Sequence, residues 1–189
     1  MRMFLRRSTV GREPLAVTMS GVRMGERALQ IGVDDPVIVG ALAAKTGLTG
    51  QATIVVTDQA SAERARAGAA DSGALVDLQI APIETLPFDD GSYDVLVIHS
   101  VSGLLASAGA EARQRVFREC RRVLRPGGRT IVLESGTPTG LRALLGARKR
   151  DAQYEAAGGT VAALERAGFK AVRTLGDREG YRFIEGLKA

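Results

Sequence analysis

Apolar runs alternate with segments of helical pattern through most of the chain, and this alternation constrains the fold more than any other feature. The runs are RALQIGV (27–33), ATIVVTD (52–58), ALVDLQIA (74–81), YDVLVIHS (93–100) and RTIVLES (129–135). Continuous apolar strands separated by helices are typical of a parallel sheet buried on both faces. The pattern therefore predicts an α/β fold, whose ligands bind at the carboxyl ends of the strands.

Helix signals fill the intervals between these runs. The predicted helices are VIVGALAAKTG (37–47), SAERARAGAA (61–70), residues 109–125 and TVAALERAGF (160–169). In the third helix, Val116, Phe117, Cys120, Val123 and Leu124 share one apolar face. RPGG (125–128) is expected to end that helix and turn the chain.

The two ends of the chain carry weaker or different signals. Residues 1–25 predict a short helix and a lead-in ending at Gly25, followed by a single domain over residues 26–189. Residues 136–154 fit no single element, whereas KAVRTLG (170–176) and GYRFIEGLK (180–188) predict a closing pair of strands.

Composition narrows the function classes. The 189 residues are 45% hydrophobic and 25% charged, which indicates a globular chain. The net charge of +5 admits a nucleic-acid partner, but solvated helix faces explain it better, and 4% aromatic residues without Trp argue against base stacking. One cysteine and one histidine predict neither a disulfide nor a metal site, and a cytoplasmic protein is the simplest expectation.

Membrane and export signals are weak as well. The N-terminal MRMFLRRSTV has charge without the apolar run of a signal peptide. The most apolar stretch, DVLVIHSVSGLLA (94–106), is too short and interrupted to span a bilayer, so no membrane partner is expected.

Two longer motifs resemble one enzyme family. LPFDDGSYDVLVIHSV (86–101), followed by RECRRVLRPGGRTIVLES (118–135), resembles the class I S-adenosylmethionine-dependent methyltransferases, in particular the methyltransferase type 11 group. LERAGFKAV (164–172) fits the same pattern. The resemblance implies a Rossmann-like fold: a mainly parallel seven-stranded sheet with an antiparallel C-terminal strand and helices on both faces. It also implies S-adenosylmethionine as cofactor.

The first cofactor loop departs from the family pattern D-x-G-x-G-x-G. Aligned on Ile31 and Gly32, the four positions of the pattern are Gln30, Gly32, Asp34 and Pro36, so one of them matches. Asp34 could pair with the ammonium or the sulfonium of the cofactor. Alternatively, Asp35 and Pro36 read as a helix start, with Asp as N-cap and Pro at the first helical position.

Two further cofactor positions follow from the resemblance. Asp58 ends the second strand, where the family has an acid that accepts hydrogen bonds from both ribose hydroxyls; the alternative is a cap for the helix at residue 61. Pro82 stands where the family has a carboxylate contacting the adenine amino group. The next residue, Ile83, could offer its backbone N–H and an apolar wall to the adenine.

His99, at the end of the fourth strand, is the candidate catalytic residue. In the family this edge faces the transferred methyl group, so His99 could orient a substrate or act as a base near neutral pH. The alternative is a polar side chain packed at a strand end, because methyl transfer from a sulfonium often needs only positioning. Ser100 and Ser102 are equally placed, and Cys120 is expected in the core.

Three functions remain as hypotheses. The first is a methyltransferase that uses S-adenosylmethionine and an unknown acceptor. The second is a non-catalytic methyltransferase-like partner or scaffold protein whose loop is closed by Asp35 and Pro36, and the third is a basic module that binds nucleic acid.

The short segments before the sheet and at 136–154 would enclose a small substrate poorly. We therefore expect a large substrate, a lid from a protein partner or a second copy of the chain, or no catalysis.

Overall fold

The computed structural model describes residues 13–136 and 152–189. The strands of this part are β1 (Arg27–Ile31), β2 (Gln51–Val56), β3 (Asp77–Ile80), β4 (Tyr93–Ser100), β5 (Leu124–Ser135), β6 (Lys170–Arg178) and β7 (Tyr181–Leu187). Its helices are α1 (Leu15–Met19), α2 (Pro36–Lys45), α3 (Gln59–Ser72), α4 (Ala110–Val123), α5 (Ala152–Ala156) and α6 (Gly159–Arg166).

All seven strands form one sheet in the order β3-β2-β1-β4-β5-β7-β6. The pairs β1–β2, β2–β3, β1–β4 and β4–β5 are parallel, and β7 is antiparallel to both of its neighbours. The predicted α/β fold with its antiparallel C-terminal strand is therefore confirmed. Strand order reverses between β1 and β4, and ligands of open parallel sheets bind beside such a reversal.

Helices cover both faces of the sheet, as the sequence predicts. In β4, Leu96 and Ile98 belong to a buried cluster with the apolar face of α4, whereas Val95 and Val97 pack against α1 and α2. All four side chains are completely buried. The unbroken apolar character of this strand therefore comes from its central place between two helical layers.

The structure corrects the edges of several predicted elements. The third strand spans four residues instead of eight, because it pairs on one side only, with β2. Helix α3 begins at Gln59 instead of residue 61, since Asp58 caps it. RPGG forms a bulge within β5: Tyr93 pairs with Leu124 and Val95 with Arg129, and the residues between them loop out.

Helices α2 and α3 cross at two glycines. A Cβ atom on Gly40 would lie 2.0 Å from the carbonyl oxygen of Gly68, and one on Gly68 would lie 2.0 Å from the carbonyl oxygen of Pro36. No larger residue fits either position without a shift of the backbone. The contact fixes the first turn of α2 against α3, and with it the loops that precede both helices.

The ends of the chain agree with the predictions where they are described. Helix α1 and the turn at Gly25 lie within the predicted lead-in, and residues 1–12 lie outside the described part. The undecided segment 136–154 includes the start of α5, but residues 137–151 also lie outside the described part.

Candidate functional site

A pocket of about 250 Å³ opens at the carboxyl ends of β1, β2 and β4. Four of the five candidate cofactor and catalytic residues line it: Gly32, Asp58, Ile83 and His99. The remaining walls come from the first turns of α3 and from the loop that follows β4. They include Ser61, Arg64, Ser102, Gly103, Leu104 and Ser107. The fifth candidate, Asp34, is not part of the lining.

Gly32 has a steric reason to be glycine. Its φ is +80°, a conformation that residues with a side chain rarely adopt. A Cβ atom here would also lie 2.9 Å from the carbonyl oxygen of His99 and 3.0 Å from the side chain of Leu104. The one glycine that matches the family pattern is therefore required by the close approach of β1 to the loop after β4.

Asp34 links two loops. Its carboxylate accepts hydrogen bonds from the backbone N–H of Val101 at 2.5 Å and of Ser102 at 2.8 Å. Two of its acceptor positions are therefore bonded to the loop after β4, and its pairing with a cationic group of the cofactor stays a prediction. The sequence could not reveal this contact, because its partners lie 67 and 68 residues further along the chain.

Asp35 and Pro36 form the predicted helix start. Asp35 is the N-cap of α2, its Oδ1 accepts from the backbone N–H of Val37 at 2.9 Å, and Pro36 occupies the first turn. The carboxylate thus satisfies one of the free donors at the end of the helix. This half of the loop is accounted for by helix capping alone.

Asp58 caps a helix and also lies in the pocket wall. Its carboxylate accepts from the backbone N–H of Ser61 at 2.8 Å and from the Ser61 hydroxyl at 2.9 Å, and so caps α3. The same residue lines the pocket. The hydrogen bond from the Ser61 backbone is the main reason that the pKa of Asp58 is lowered, so the group is ionised at neutral pH. Capping and lining the pocket are therefore compatible.

His99 belongs to a buried polar chain. Its side chain is only 2% exposed, and its Nε2 lies 3.0 Å from Oε1 of Gln30. The Gln30 amide nitrogen donates to the carbonyl oxygen of Val39 at 3.0 Å, so its oxygen faces the ring and His99 Nε2 carries the hydrogen.

The environment of His99 sets its protonation state. Burial lowers the pKa of His99 to about 4, against the opposing charges of Asp34 and Asp35. The ring is therefore neutral at pH 7 and joins β4 to β1 and α2. The hydrogen bond to Gln30 accounts for His99 as a packed polar residue, and its role as a base stays a prediction.

The loop after β4 is held at both ends. Asp34 binds its first two amides, and the buried guanidinium of Arg113 donates to the carbonyl oxygens of Leu105 at 2.8 Å and Ala108 at 2.7 Å. Arg113 also lies 3.7 Å from the centre of the Tyr154 ring. Within the loop, the Ser100 hydroxyl accepts from the Leu105 amide. Ser100 is thus a structural group, whereas Ser102 lines the pocket.

Sequence reasoning missed Arg64 and Leu104 as lining residues. Arg64 had a usable signal, because it follows Ser61 by one helical turn and so lies on the same face of α3. Its guanidinium donates to the Ser61 hydroxyl at 3.1 Å. Leu104 lies in a loop without a regular period and offered no such signal.

Other expectations concern groups away from the pocket. Asp94 accepts from the backbone N–H of Arg27 at 2.7 Å and from the Arg125 guanidinium at 2.6 Å, and so holds the start of β1 and the bulge of β5 to β4. Cys120 is completely buried in the core, and burial raises the pKa of its thiol.

Residues 13–136 and 152–189 show neither a metal-binding cluster nor a membrane-spanning helix. They contain no group of three or more His, Cys, Asp or Glu side chains that could hold a metal ion. No helix there is both long and apolar enough to cross a membrane.

Comparison with known proteins places the chain in a family. Residues 30–132, just over half of the chain, match the family model of the methyltransferase domain. The chain therefore belongs to this family of methyltransferase domains.

Curated relatives cover the same region. The ubiquinone/menaquinone biosynthesis C-methyltransferase UbiE of Idiomarina loihiensis is 29% identical over 124 residues, which is 65% of this chain and 47% of that protein. UbiE of Ectopseudomonas mendocina is 32% identical over 124 residues, 65% of this chain and 46% of that protein. The chain thus spans about half the length of these relatives.

A solved structure extends the likeness to nearly the whole fold. A SAM dependent methyltransferase from Aquifex aeolicus aligns with a TM-score of 0.70 at 14% identity, over 93% of this chain and 88% of that one. At this identity the match shows the fold alone, which is that of a class I methyltransferase.

Proposed function

We propose that this chain is an S-adenosylmethionine-dependent methyltransferase that binds its cofactor in the pocket at the ends of β1, β2 and β4. The observation that carries the proposal is the convergence of Gly32, Asp58 and Ile83 on that pocket. The family resemblance assigns these three positions to the cofactor, and they lie 26 and 25 residues apart in sequence. Membership of the methyltransferase domain family supports the same cofactor.

The pocket fits the nucleoside part of the cofactor. Gly32 leaves the backbone bare at one wall, while Ile83 and Leu104 offer apolar surface for a base. Asp58 supplies an ionised carboxylate for the ribose hydroxyls. A carboxylate has about four acceptor positions, and two of them suffice for the bonds that Ser61 makes.

The chain contributes position rather than proton transfer. When bound, S-adenosylmethionine supplies a methyl carbon on a sulfonium, which an acceptor attacks in line. Holding two reactants in alignment is the larger part of the catalysis that such a transfer needs. His99 supports the pocket from beneath as a neutral donor to Gln30, and Asp34 and Arg113 hold the loop that forms one wall.

The test is calorimetric titration with S-adenosylmethionine and with its demethylated product. We expect micromolar binding, about −8 kcal/mol. Asp58→Asn should weaken binding at least tenfold, because an amide keeps the helix cap but loses the charge and one acceptor. Asp35→Asn is the matched control: it changes the equivalent cap on α2, which is not part of the pocket lining, and should weaken binding much less than Asp58→Asn.

A second candidate function rests on a different observation. Asp34 and Asp35 bond to backbone donors of the loop after β4 and of the first turn of α2, which suits a non-catalytic, methyltransferase-like partner protein. The fold does serve other activities: the [4+2]-cyclase SpnF aligns with a TM-score of 0.67 at 19% identity, over 92% of this chain and 78% of that one. The absence of binding up to millimolar cofactor would favour this candidate.

A further inference from the structure

Two consecutive backbone amides after β4 converge on one carboxylate. The N–H groups of Val101 and Ser102 both point to Asp34, one to each oxygen. Paired backbone donors of this kind form a common anion site in proteins, where they hold a ligand carboxylate or phosphate. In this chain an internal side chain occupies the anion position.

The neighbouring donors at the same edge of the sheet are also taken. Asp35 accepts from the Val37 amide and Asp58 from the Ser61 amide. Two loops around the pocket thus carry three aspartates bonded to backbone N–H groups, and Arg64 is the cationic residue in the pocket lining. The charges of Asp34 and Asp35 reach the pocket wall, since both act on the ring of His99.

The acidic edge of the pocket favours the cationic groups of S-adenosylmethionine and disfavours its carboxylate. The cofactor carries two cations, a sulfonium and an ammonium, and one anion, the carboxylate of its methionine part. The acidic edge attracts both cations. The carboxylate would face the wall that Ser102 forms, where Asp34 already holds the amides of Ser102 and Val101.

We propose that Asp34 stands in for the ligand's carboxylate, so that the pocket prefers an adenosyl sulfonium that bears an amine but no carboxylate. This inference rests on the proposed function, because it assumes that the pocket binds the adenosyl group. It makes Asp34 a specificity-determining residue although its side chain does not line the pocket.

The experiment compares three probes by calorimetry on the full chain: S-adenosylmethionine, its decarboxylated analogue, and 5′-methylthioadenosine, which lacks the amino-acid part. We expect the decarboxylated analogue to bind about tenfold more tightly than S-adenosylmethionine, since one like-charge contact is removed. The neutral methylthioadenosine should bind more weakly than the decarboxylated analogue, because it offers neither cation to the acidic edge.

Two variants distinguish the effect of releasing the two amides from the effect of removing a negative charge on the ratio of ligand affinities. Asp34→Gly frees the Val101 and Ser102 amides and should shift the ratio of affinities toward S-adenosylmethionine by at least tenfold. Asp35→Asn removes a neighbouring charge, keeps its helix cap and leaves those amides bonded, so it should change the ratio much less. If Asp34→Gly does not fold, the ratio measured on the unmodified chain still decides.

Failure of this inference and failure of the proposed function give different results. S-adenosylmethionine binding as tightly as its decarboxylated analogue, or more tightly, would overturn the role of Asp34 and leave the proposed function standing. No binding of any of the three probes up to millimolar concentration would overturn both.

Discussion

The loops after β1 and β2 use an aspartate in the same structural way but stand in different relations to the pocket. Asp35 caps α2 and Asp58 caps α3, each through a hydrogen bond from a backbone N–H in the first turn. Only Asp58 also lines the pocket. An acidic residue at the end of a strand is therefore not, by itself, a sign of a ligand site. What distinguishes the two loops is where the carboxylate lies relative to the neighbouring strand ends.

The largest expected effect comes from disrupting the crossing of α2 and α3, which holds the loops before both helices in place. Gly68→Ala places a Cβ atom 2.0 Å from the carbonyl oxygen of Pro36, the first residue of α2. We expect the free energy of unfolding to fall by about 3 kcal/mol, since the backbone of one helix must move. Urea denaturation would measure this loss, and cofactor affinity should fall with it because Asp58 precedes the displaced helix.

Ala67→Gly is the control for that change. Residue 67 is exposed on the same helix, so this substitution tests helix propensity without the crossing contact and should cost about 1 kcal/mol. If Gly68→Ala were as stable as the unmodified chain, the conclusion that α2 and α3 cross too closely for a side chain would be wrong.

The sequence predicted those features of the fold that depend on local pattern. The apolar run of β4 was placed to the residue, because a central strand buried on both faces leaves no ambiguity. The cap at Asp35 followed from the Asp-Pro pair alone. The edge strand β3 was predicted too long, since nothing in its apolar pattern marks where pairing with β2 stops.

The site was less predictable because its decisive contacts join residues far apart in the chain. Gln30 and His99 are 69 residues apart and meet only because β1 and β4 are neighbours in the sheet. Both were noted in the sequence, Gln30 as a lost acid and His99 as a candidate base. Their hydrogen bond joins β1 to β4, a structural role that neither sequence position indicates alone.

The second prediction concerns the pH dependence of this buried pair, which lies beneath the β1 loop. His99 is the chain's single histidine, and burial lowers its pKa from 6.5 to about 4. Above pH 6.5 the ring is neutral in both the folded and the unfolded state, and its contribution to stability is complete. As the pH falls from 6.5 towards 4, the unfolded state binds the proton first, so the free energy of unfolding should fall.

The measurement is urea denaturation at a series of pH values, with His99→Gln as the comparison. The variant has no group that titrates in this window at position 99, so its stability should change little between pH 6.5 and 5. Equal slopes for the two proteins would show that the ring is not held neutral. Asp34 and Asp35 oppose the effect of burial, so replacing either by Asn should lower the pKa of His99 further and extend the loss of stability to lower pH.

The smallest expected effect sharpens the comparison between the two caps directly. Asp35→Ala removes the bond to the Val37 amide and should lower the free energy of unfolding by about 1 kcal/mol. Its affinity for the cofactor should change far less than that of an Asp58 variant, because Asp35 is not part of the pocket lining. Asp58→Ala should also lower stability, but it should remove cofactor binding as well. Thermal denaturation and calorimetry on the same samples separate the two outcomes, and equal affinity in both variants would mean that Asp58, like Asp35, serves only its helix.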